Sequence, residues 1–339
     1  MRSLPYMTAA LIAISIQSVH AQNCDSVLIQ RNTTAIQRSN YLRIHALSVA
    51  SDSEIRSESD KFSALTPKGK YDAESARETQ RNTWNMNNVS YTKFQSEQVM
   101  LSNLPDGAVQ FWAQCVQSVS SAPMFYAIPR SPREDSVEVK LVWYPGSFHP
   151  KEDLTVTKPD GSNLTLAPGE TTVVIPRSLT RDLSVSFNAR SSQRALSAPI
   201  FVPGRKTFDY IVYLKDGDEV SGSCKNADGV PCVGPGQPIF TGPPEGGLSS
   251  VSFYVPNGAR RFEAELSPAD CNAGAAVGYV DASGGRILTF NWPAQRSVKT
   301  DLPPGTHVIT FGADANGTRQ CDSVQWLAPR VIVRETYGG

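Results

Sequence analysis

Apolar residues in the first part of the chain follow a helical spacing. Between residues 22 and 120 a single helical face is formed by Ile36, Tyr41, Ile44 and Leu47. A second helix is predicted to start where Asp106 and Gly107 supply an N-terminal cap. Its apolar positions recur every three or four residues: Ala108, Val109, Phe111, Trp112, Cys115 and Val116. Residues 71–86 are polar nearly all round, so a helix there needs a partner to be stable.

From Ala122 onwards apolar and polar residues alternate, which is typical of strands with one buried face. Short strands are predicted at 124–128, 137–144, 154–157, 171–175 and 183–187. Further strands are predicted at 208–214, 251–255, 261–266, 276–280, 287–292, 297–301, 307–311 and 324–333. Gly and Pro cluster between the strands and supply the turns.

These patterns predict a mainly β fold with an α-helical N-terminal region and two consecutive antiparallel β-sandwiches. The predicted domains are a helical domain at 22–120, a small Ig-like β-sandwich at 121–202 and a larger β-sandwich at 203–339. Residues 199–206 are predicted as a linker. Residues 224–247, rich in Gly and Pro, are predicted to lack regular structure.

Residues 1–21 have the features of a secretory signal peptide. Arg2 precedes the apolar stretch 7–16, and Val19-His20-Ala21 offers small residues for cleavage. The stretch is shorter than the roughly 20 apolar residues of a membrane-spanning helix. We expect cleavage after Ala21 and a mature protein that is secreted or periplasmic.

Charge is balanced along the chain, with 32 Lys and Arg residues against 32 Asp and Glu residues. Loss of Arg2 with the signal peptide leaves the mature chain close to neutral. A balanced chain offers no basic field for nucleic acid. No later stretch reaches the length of a membrane helix, so we expect neither a nucleic-acid partner nor a transmembrane segment.

Six cysteines follow the signal peptide: Cys24, Cys115, Cys224, Cys232, Cys271 and Cys321. An even number in an exported chain indicates disulfides, although six cysteines allow about fifteen connectivities. Pairing within each predicted domain favours Cys24–Cys115, Cys224–Cys232 and Cys271–Cys321. A metal site is disfavoured, because the sequence has no CxxC pair and few histidines.

Three motifs follow one another in the C-terminal region. The turn at 255–262 (VPNGARRF) leads into an acidic strand, Leu-Pro-Pro-Gly at 302–305 precedes an apolar strand, and Trp326 lies in the closing run 322–330. This order resembles the NPCBM family of carbohydrate-binding modules, over residues 207–335. The resemblance implies a galactose-binding-like β-sandwich and a glycan ligand. Residues 105–116 resemble exported bacterial proteins of unknown activity and imply no function.

Sugar recognition needs an exposed aromatic ring against C–H groups and polar side chains that fix the hydroxyls. Trp292, at a strand end, is our candidate for the aromatic contact, whereas Trp326 is interpreted as a core residue. Asp216 and Asp218 lie across a glycine and either join the ligand site, hold Ca²⁺, or form a plain hairpin turn. No other cofactor is expected.

A second aromatic turn lies in the middle domain, at 143–149 (WYPGSFH). If it is exposed, Tyr144 and His149 are ligand-binding candidates. If it is not, Trp143 belongs to the core and Tyr144 and Phe148 staple the turn.

The sequence contains no G-x-S-x-G, H-E-x-x-H or Walker motif, and its histidines after the signal peptide fall in three predicted domains. We therefore predict a non-catalytic protein that binds a glycan or glycoconjugate through its C-terminal sandwich. The alternative is a toxin-like or structural surface protein. Its helical N-terminal region would engage a partner protein or a membrane, and its sandwiches would be scaffolds.

Overall fold

The structure is a computed structural model of the chain. It describes residues 17–65, 72–118, 122–146, 151–192, 194–214, 239–241, 248–266, 274–280, 284–291, 297–314 and 324–337. The helices are α1 (Gln17–Arg31), α2 (Thr33–Arg38), α3 (Asn40–Val49), α4 (Asp52–Ser57), α5 (Ser59–Phe62), α6 (Ala73–Met86), α7 (Lys93–Ser102) and α8 (Asp106–Ser118).

The first strands are β1 (Met124–Pro132), β2 (Ser136–Tyr144), β3 (Leu154–Thr157), β4 (Asn163–Leu166), β5 (Gly169–Pro176), β6 (Leu183–Arg190) and β7 (Ala195–Val202). They are followed by β8 (Lys206–Tyr213), β9 (Ile239–Thr241), β10 (Leu248–Tyr254), β11 (Ala259–Leu266), β12 (Gly274–Val280), β13 (Arg286–Asn291), β14 (Ser297–Asp301), β15 (Val308–Asp314) and β16 (Val324–Tyr337). The predicted fold class is confirmed: N-terminal helices precede antiparallel sheets.

The chain divides into two compact units. Unit 1 contains residues 1–35 and 93–204, and unit 2 contains residues 36–92 and 205–339. Helices α1, α7 and α8 therefore belong to unit 1, and α3 to α6 belong to unit 2. The three-domain division at 120 and 202 stays a prediction.

Unit 1 contains a β-sandwich. One sheet has the order β1-β2-β5, and the other has the order β4-β3-β6-β7. Alternate residues of β2, among them Trp143, are buried together with side chains from the second sheet, including Phe187 and Ile200. Because both sheets contribute to one core, each strand exposes its other face.

The helices of unit 1 are held by one covalent bond and by polar contacts. A Cys24–Cys115 disulfide joins α1 to α8, which confirms that predicted pair. The Asn32 side chain donates to the carbonyl of Met100, with N···O 2.9 Å. Arg130 of β1 donates to the carbonyl of Leu101 in the last turn of α7, with N···O 3.1 Å, beside the Leu104 amide that donates to the same carbonyl.

Unit 2 also contains two sheets that face each other. One has the order β14-β11-β16-β8, with β9 paired to β16, and the other has the order β10-β15-β12-β13. Its core is aromatic: Phe253 and Phe311 stack with centroids 5.2 Å apart, and Phe311 also contacts Phe262 and Trp326. Trp326 is fully buried, as predicted.

The polar helix α6 finds its partner in β8. Asn87, just after α6, donates to the Asp209 carbonyl and accepts from the Asp209 amide at 2.7 Å, in the way that a neighbouring strand would. The buried side of α6 carries small or polar side chains: Ala73, Ser75, Ala76, Thr79, Gln80 and Thr83. Hydroxyls of Thr79 and Thr83 bond to carbonyls of their own helix, so their burial leaves no hydroxyl unpaired.

Some local predictions are wrong. Residues 199–202 are not a linker but the end of β7, which pairs with β6. Pro199 is compatible with this strand because β7 lies at the edge of its sheet, where proline is found in strands. Within the predicted irregular segment 224–247, β9 pairs with the start of β16.

The predicted apolar face of α8 is also only partly buried. Phe111 is 54% exposed, with the Arg31 guanidinium 4.6 Å from its ring centroid, so a cation–π contact replaces burial. Asp106 is the first residue of the helix rather than its cap, and its carboxylate accepts from Arg130 at 2.7 Å. The predicted pairs Cys224–Cys232 and Cys271–Cys321 lie outside the described residues.

Candidate binding sites

Of the five predicted ligand-binding residues, only Tyr144 lies in the described part of the chain. Trp292, Asp216, Asp218 and His149 lie outside the described residues. Tyr144 is the last residue of β2 and is half-buried. Its neighbour Trp143 is 1% exposed and belongs to the core of the sandwich, as the second interpretation of this turn had it.

Tyr144 lines a cleft of about 650 Å³ in unit 1, which we call the α8 cleft. One wall is α8, and the other is formed by the end of β2 and the start of β5. The residues that line it are Gln110, Ala113, Gln114, Gln117, Val142, Trp143, Tyr144, Pro145, Gly146, Pro168, Gly169 and Glu170. The cleft brings together segments that are far apart in the sequence.

The sequence places the polar groups of the α8 cleft on one side of α8. Gln110, Gln114 and Gln117 are spaced by four and three residues, so they share one helical face, and Ala113 between them is buried. Opposite them, the indole of Trp143 donates to the carbonyl of Glu152 at 2.7 Å. That bond fixes the ring in the core and leaves Tyr144 as the aromatic side chain with an accessible surface.

A second candidate lies on the outer face of the sheet β10-β15-β12-β13 in unit 2. Tyr254, Val308 and Val280 are paired across three neighbouring strands and therefore point to the same side. Tyr254 is 57% exposed and Val280 39% exposed. Two residues along the strands the next row contains Ser252, Thr310 and Gly278 on the same side. We call these six residues the Tyr254 face.

The Tyr254 face combines a ring, hydroxyls and a flat backbone. The hydroxyl oxygens of Ser252 and Thr310 lie 2.6 Å apart, so one donates to the other. Whichever of the two is the donor, the Thr310 oxygen keeps a proton or lone pairs for a ligand. Gly278 adds no side chain beside Thr310 on the neighbouring strand β12.

Sequence reasoning missed both the glutamines and Tyr254. A glutamine on a helix is most often an ordinary solvent-exposed residue, and only the fold shows that these three side chains line a cleft. Tyr254 was readable in principle: Phe253 and Val255 are buried, so alternation places Tyr254 on the outer face. The informative signal is a large aromatic residue at an outward position of an alternating strand.

Within the described ranges, no three His, Cys, Asp or Glu side chains converge in the way that metal ligands do. The Asp216 and Asp218 pair proposed for Ca²⁺ lies outside those ranges. None of the described helices has both the length and the apolar character needed to cross a membrane.

Solved structures show only distant likenesses to this chain. The CBM51-2 and INT domains of Clostridium perfringens ZmpB share 14% identity, with 47% of this chain and 39% of that chain covered and a TM-score of 0.23. A carbohydrate-binding module of the β-sandwich superfamily shares 10% identity, with 64% of this chain and 92% of that chain covered and a TM-score of 0.19. The secreted serine protease VesC from Vibrio cholerae shares 11% identity, with 68% and 54% coverage and a TM-score of 0.19.

The chain spans 39% of the length of the ZmpB structure and 54% of that of VesC. No protein-family model and no curated protein sequence matches the chain. The neighbours do include carbohydrate-binding modules, whereas the specific resemblance to the NPCBM family stays a prediction from the sequence.

Proposed function

We propose that this chain is a secreted, non-catalytic binding protein that recognises a carbohydrate through the sandwich of unit 2. The observation that supports this best is the Tyr254 face. An aromatic ring that is more than half exposed stands beside a pair of hydroxyls on an open sheet surface. We infer that the ring packs against sugar C–H groups while Thr310 and Ser252 hydrogen-bond to sugar hydroxyls.

Physical chemistry favours a saccharide over other ligands on this face. A pyranose ring presents C–H groups on one side and hydroxyls at its rim, which matches an apolar ring flanked by hydroxyls. Val280 and Val308 extend the apolar strip beside Tyr254 without adding charge. The six residues carry no formal charge, so an ionic ligand would find no partner among them.

Two sequence features support secretion and the absence of catalysis. Residues 1–21 have the pattern of a signal peptide, and the sequence lacks the common hydrolase motifs. The likeness of residues 207–335 to the NPCBM family independently favours a glycan ligand for the same sandwich. The predicted residues Trp292, Asp216 and Asp218 belong to this proposal as loop contacts.

The test uses the full mature chain, beginning at Gln22. A glycan array identifies a binding oligosaccharide, and calorimetric titration then compares the wild type with Tyr254→Ala and Tyr254→Phe. A stacking contact worth about 1.4 kcal/mol predicts a roughly tenfold weaker affinity for Tyr254→Ala. Tyr254→Phe keeps the ring and should retain most of the affinity.

A matched control removes apolar surface elsewhere. Val174 of β5 in unit 1 is 64% exposed, so Val174→Ala should leave affinity unchanged. Circular dichroism establishes that each variant is folded. The proposal would be contradicted if no glycan on a broad array bound the protein, or if Tyr254→Ala bound with wild-type affinity.

A further inference from the structure

We infer that the α8 cleft in unit 1 is a second binding site and that it takes a neutral saccharide. This goes beyond the proposed function, which concerns unit 2. The inference rests on the size of the cleft, the hydrogen-bonding state of its amides, its charge and the way its walls are held.

The cleft has the size and composition of a small-molecule site. Its volume of about 650 Å³ lies within the range of roughly 300–1,000 Å³ found for ligand pockets. Its buried lining is apolar: Ala113, Val142, Trp143 and Pro145. Such a lining accommodates the C–H side of a sugar ring, and Tyr144 adds an aromatic edge to it.

The amides of the cleft are available to a ligand. Within the described part of the chain, the side chains of Gln110, Gln114 and Gln117 form no hydrogen bond to the protein, and neither does the Tyr144 hydroxyl. Each amide offers two donors and one acceptor, which is the pattern that neighbouring sugar hydroxyls require. Three such groups at successive turns of α8 form a row along one wall.

Charge in the cleft selects against ionic ligands. Among its lining residues only Glu170 carries a charge, and its carboxylate forms an ion pair with Lys140 at 2.8 Å. An anionic sugar would meet this carboxylate and no free cation of the lining. A cationic ligand would have to displace Lys140. A neutral polyhydroxylated ligand has neither cost.

Both walls are rigidly supported, so a ligand orders little of the protein when it binds. The Cys24–Cys115 disulfide holds α8 beside α1. Trp143 and its bond to the Glu152 carbonyl fix the end of β2 in the core. A preformed site loses less conformational entropy on binding than a flexible one, and this raises the affinity for a ligand that fits it.

The test titrates the full mature chain with neutral oligosaccharides (cello-, manno-, xylo- and chito-series) and with uronic-acid oligomers. The main variant is the double substitution Gln110→Ala with Gln114→Ala. Alanine is a better helix former than glutamine, so α8 should be retained. Each lost hydrogen bond should weaken binding about 2- to 12-fold. Tyr144→Phe tests the hydroxyl alone.

Gln37→Ala is the matched control, because Gln37 is an exposed helical glutamine of α2 outside the cleft. Its affinity should equal that of the wild type. The inference is overturned if no neutral oligosaccharide binds, if only the uronic-acid oligomers bind, or if the double variant binds like Gln37→Ala.

Tyr254→Ala, measured in the same series, separates the two proposals. Loss of binding in the glutamine double variant alone supports the cleft and removes the support for the Tyr254 face. Loss in Tyr254→Ala alone has the opposite meaning. If the titration shows two binding events, and the glutamine double variant loses one while Tyr254→Ala loses the other, both sites are supported.

Discussion

Acidification should destabilise unit 2 through one buried histidine. His45 of α3 is fully buried, with its ring centroid 4.5 Å from that of Tyr41 and 4.8 Å from that of Tyr91. Burial lowers the pKa of the imidazole from 6.5 to about 3, because the charged form would lose its hydration. The folded chain therefore keeps His45 neutral at a pH at which the unfolded chain protonates it.

The sign and size of the effect follow from linkage. The contribution of His45 to stability is complete above pH 6.5 and is lost as the pH falls from 6.5 towards about 3. Between pH 7 and pH 5 only the unfolded state takes up this proton. One pKa unit corresponds to about 1.4 kcal/mol, so the free energy of unfolding should fall by about 2 kcal/mol over this interval.

A second buried group has the opposite pH dependence, so the wild-type profile alone is not diagnostic. In unit 1, burial and then the nearby Asp25 carboxylate raise the pKa of Glu97 from 4.5 to about 7. Its contribution is present at low pH and is lost as the pH rises from 4.5 to 7. The fall of about 2 kcal/mol is therefore the contribution of His45 alone: Glu97 opposes it by a similar amount in the same window, and a variant has to separate the two.

The assay is urea unfolding of the wild type and His45→Leu at pH 7, 6 and 5. His45→Leu lowers the free energy of unfolding at pH 7, but the informative quantity is how that free energy changes with pH. The difference between the unfolding free energies of wild type and variant should shrink by about 2 kcal/mol from pH 7 to pH 5. His307→Gln removes an exposed histidine as the control. Parallel profiles for His45→Leu and wild type would refute the reasoning.

Three further predictions concern stability. Replacing Cys24 and Cys115 by serine opens a loop with a sequence separation of 91 residues, and should lower the unfolding free energy by about 4–5 kcal/mol in denaturant titrations. Asp209 accepts from Arg260 at 2.5 Å and from Arg334 at 2.8 Å while nearly buried, so Asp209→Asn should cost about 1–3 kcal/mol. As the comparison, Asp301 forms an exposed ion pair with Arg261, so Asp301→Asn should lower the free energy of unfolding by less than about 1 kcal/mol. A Cβ added at Gly258 (φ +89°) would lie 2.2 Å from the Arg334 carbonyl oxygen, whereas one added at Gly305 (φ +82°) would meet nothing within 4 Å. The melting temperature of Gly258→Ala should therefore lie well below that of Gly305→Ala.

Strand alternation was the most reliable guide to this fold. The predicted limits of β3 and β14 agree with the structure, because each is a short run of alternating residues between clear turn signals. Strand β9 escaped prediction because three residues are too few for a period to show. Its pairing with β16 depends on a partner more than eighty residues later in the sequence.

The candidate sites were harder to predict, because their residues look ordinary in isolation. Tyr144 was found because aromatic residues cluster near it in sequence. Gln114 carries no such signal, and it becomes a candidate only when the fold places it opposite Tyr144. A binding site made from two distant segments has no sequence period of its own, so its residues are visible only after both segments have been placed.

Composition also groups residues differently from packing. Residues 22–120 share a polar, helix-forming composition, and this is a property of sequence neighbours. Packing depends on which surfaces bury one another: α8 is bonded to α1 through Cys115, whereas Asn87 at the end of α6 bonds to the backbone of β8. A polar helix such as α6 gains little from its own sequence. It is held by β8, which Asn87 contacts 122 residues further on, and by α3, where Gln80 donates to Ser48. The contacts that fix these helices are therefore long-range, and they are absent from any local pattern.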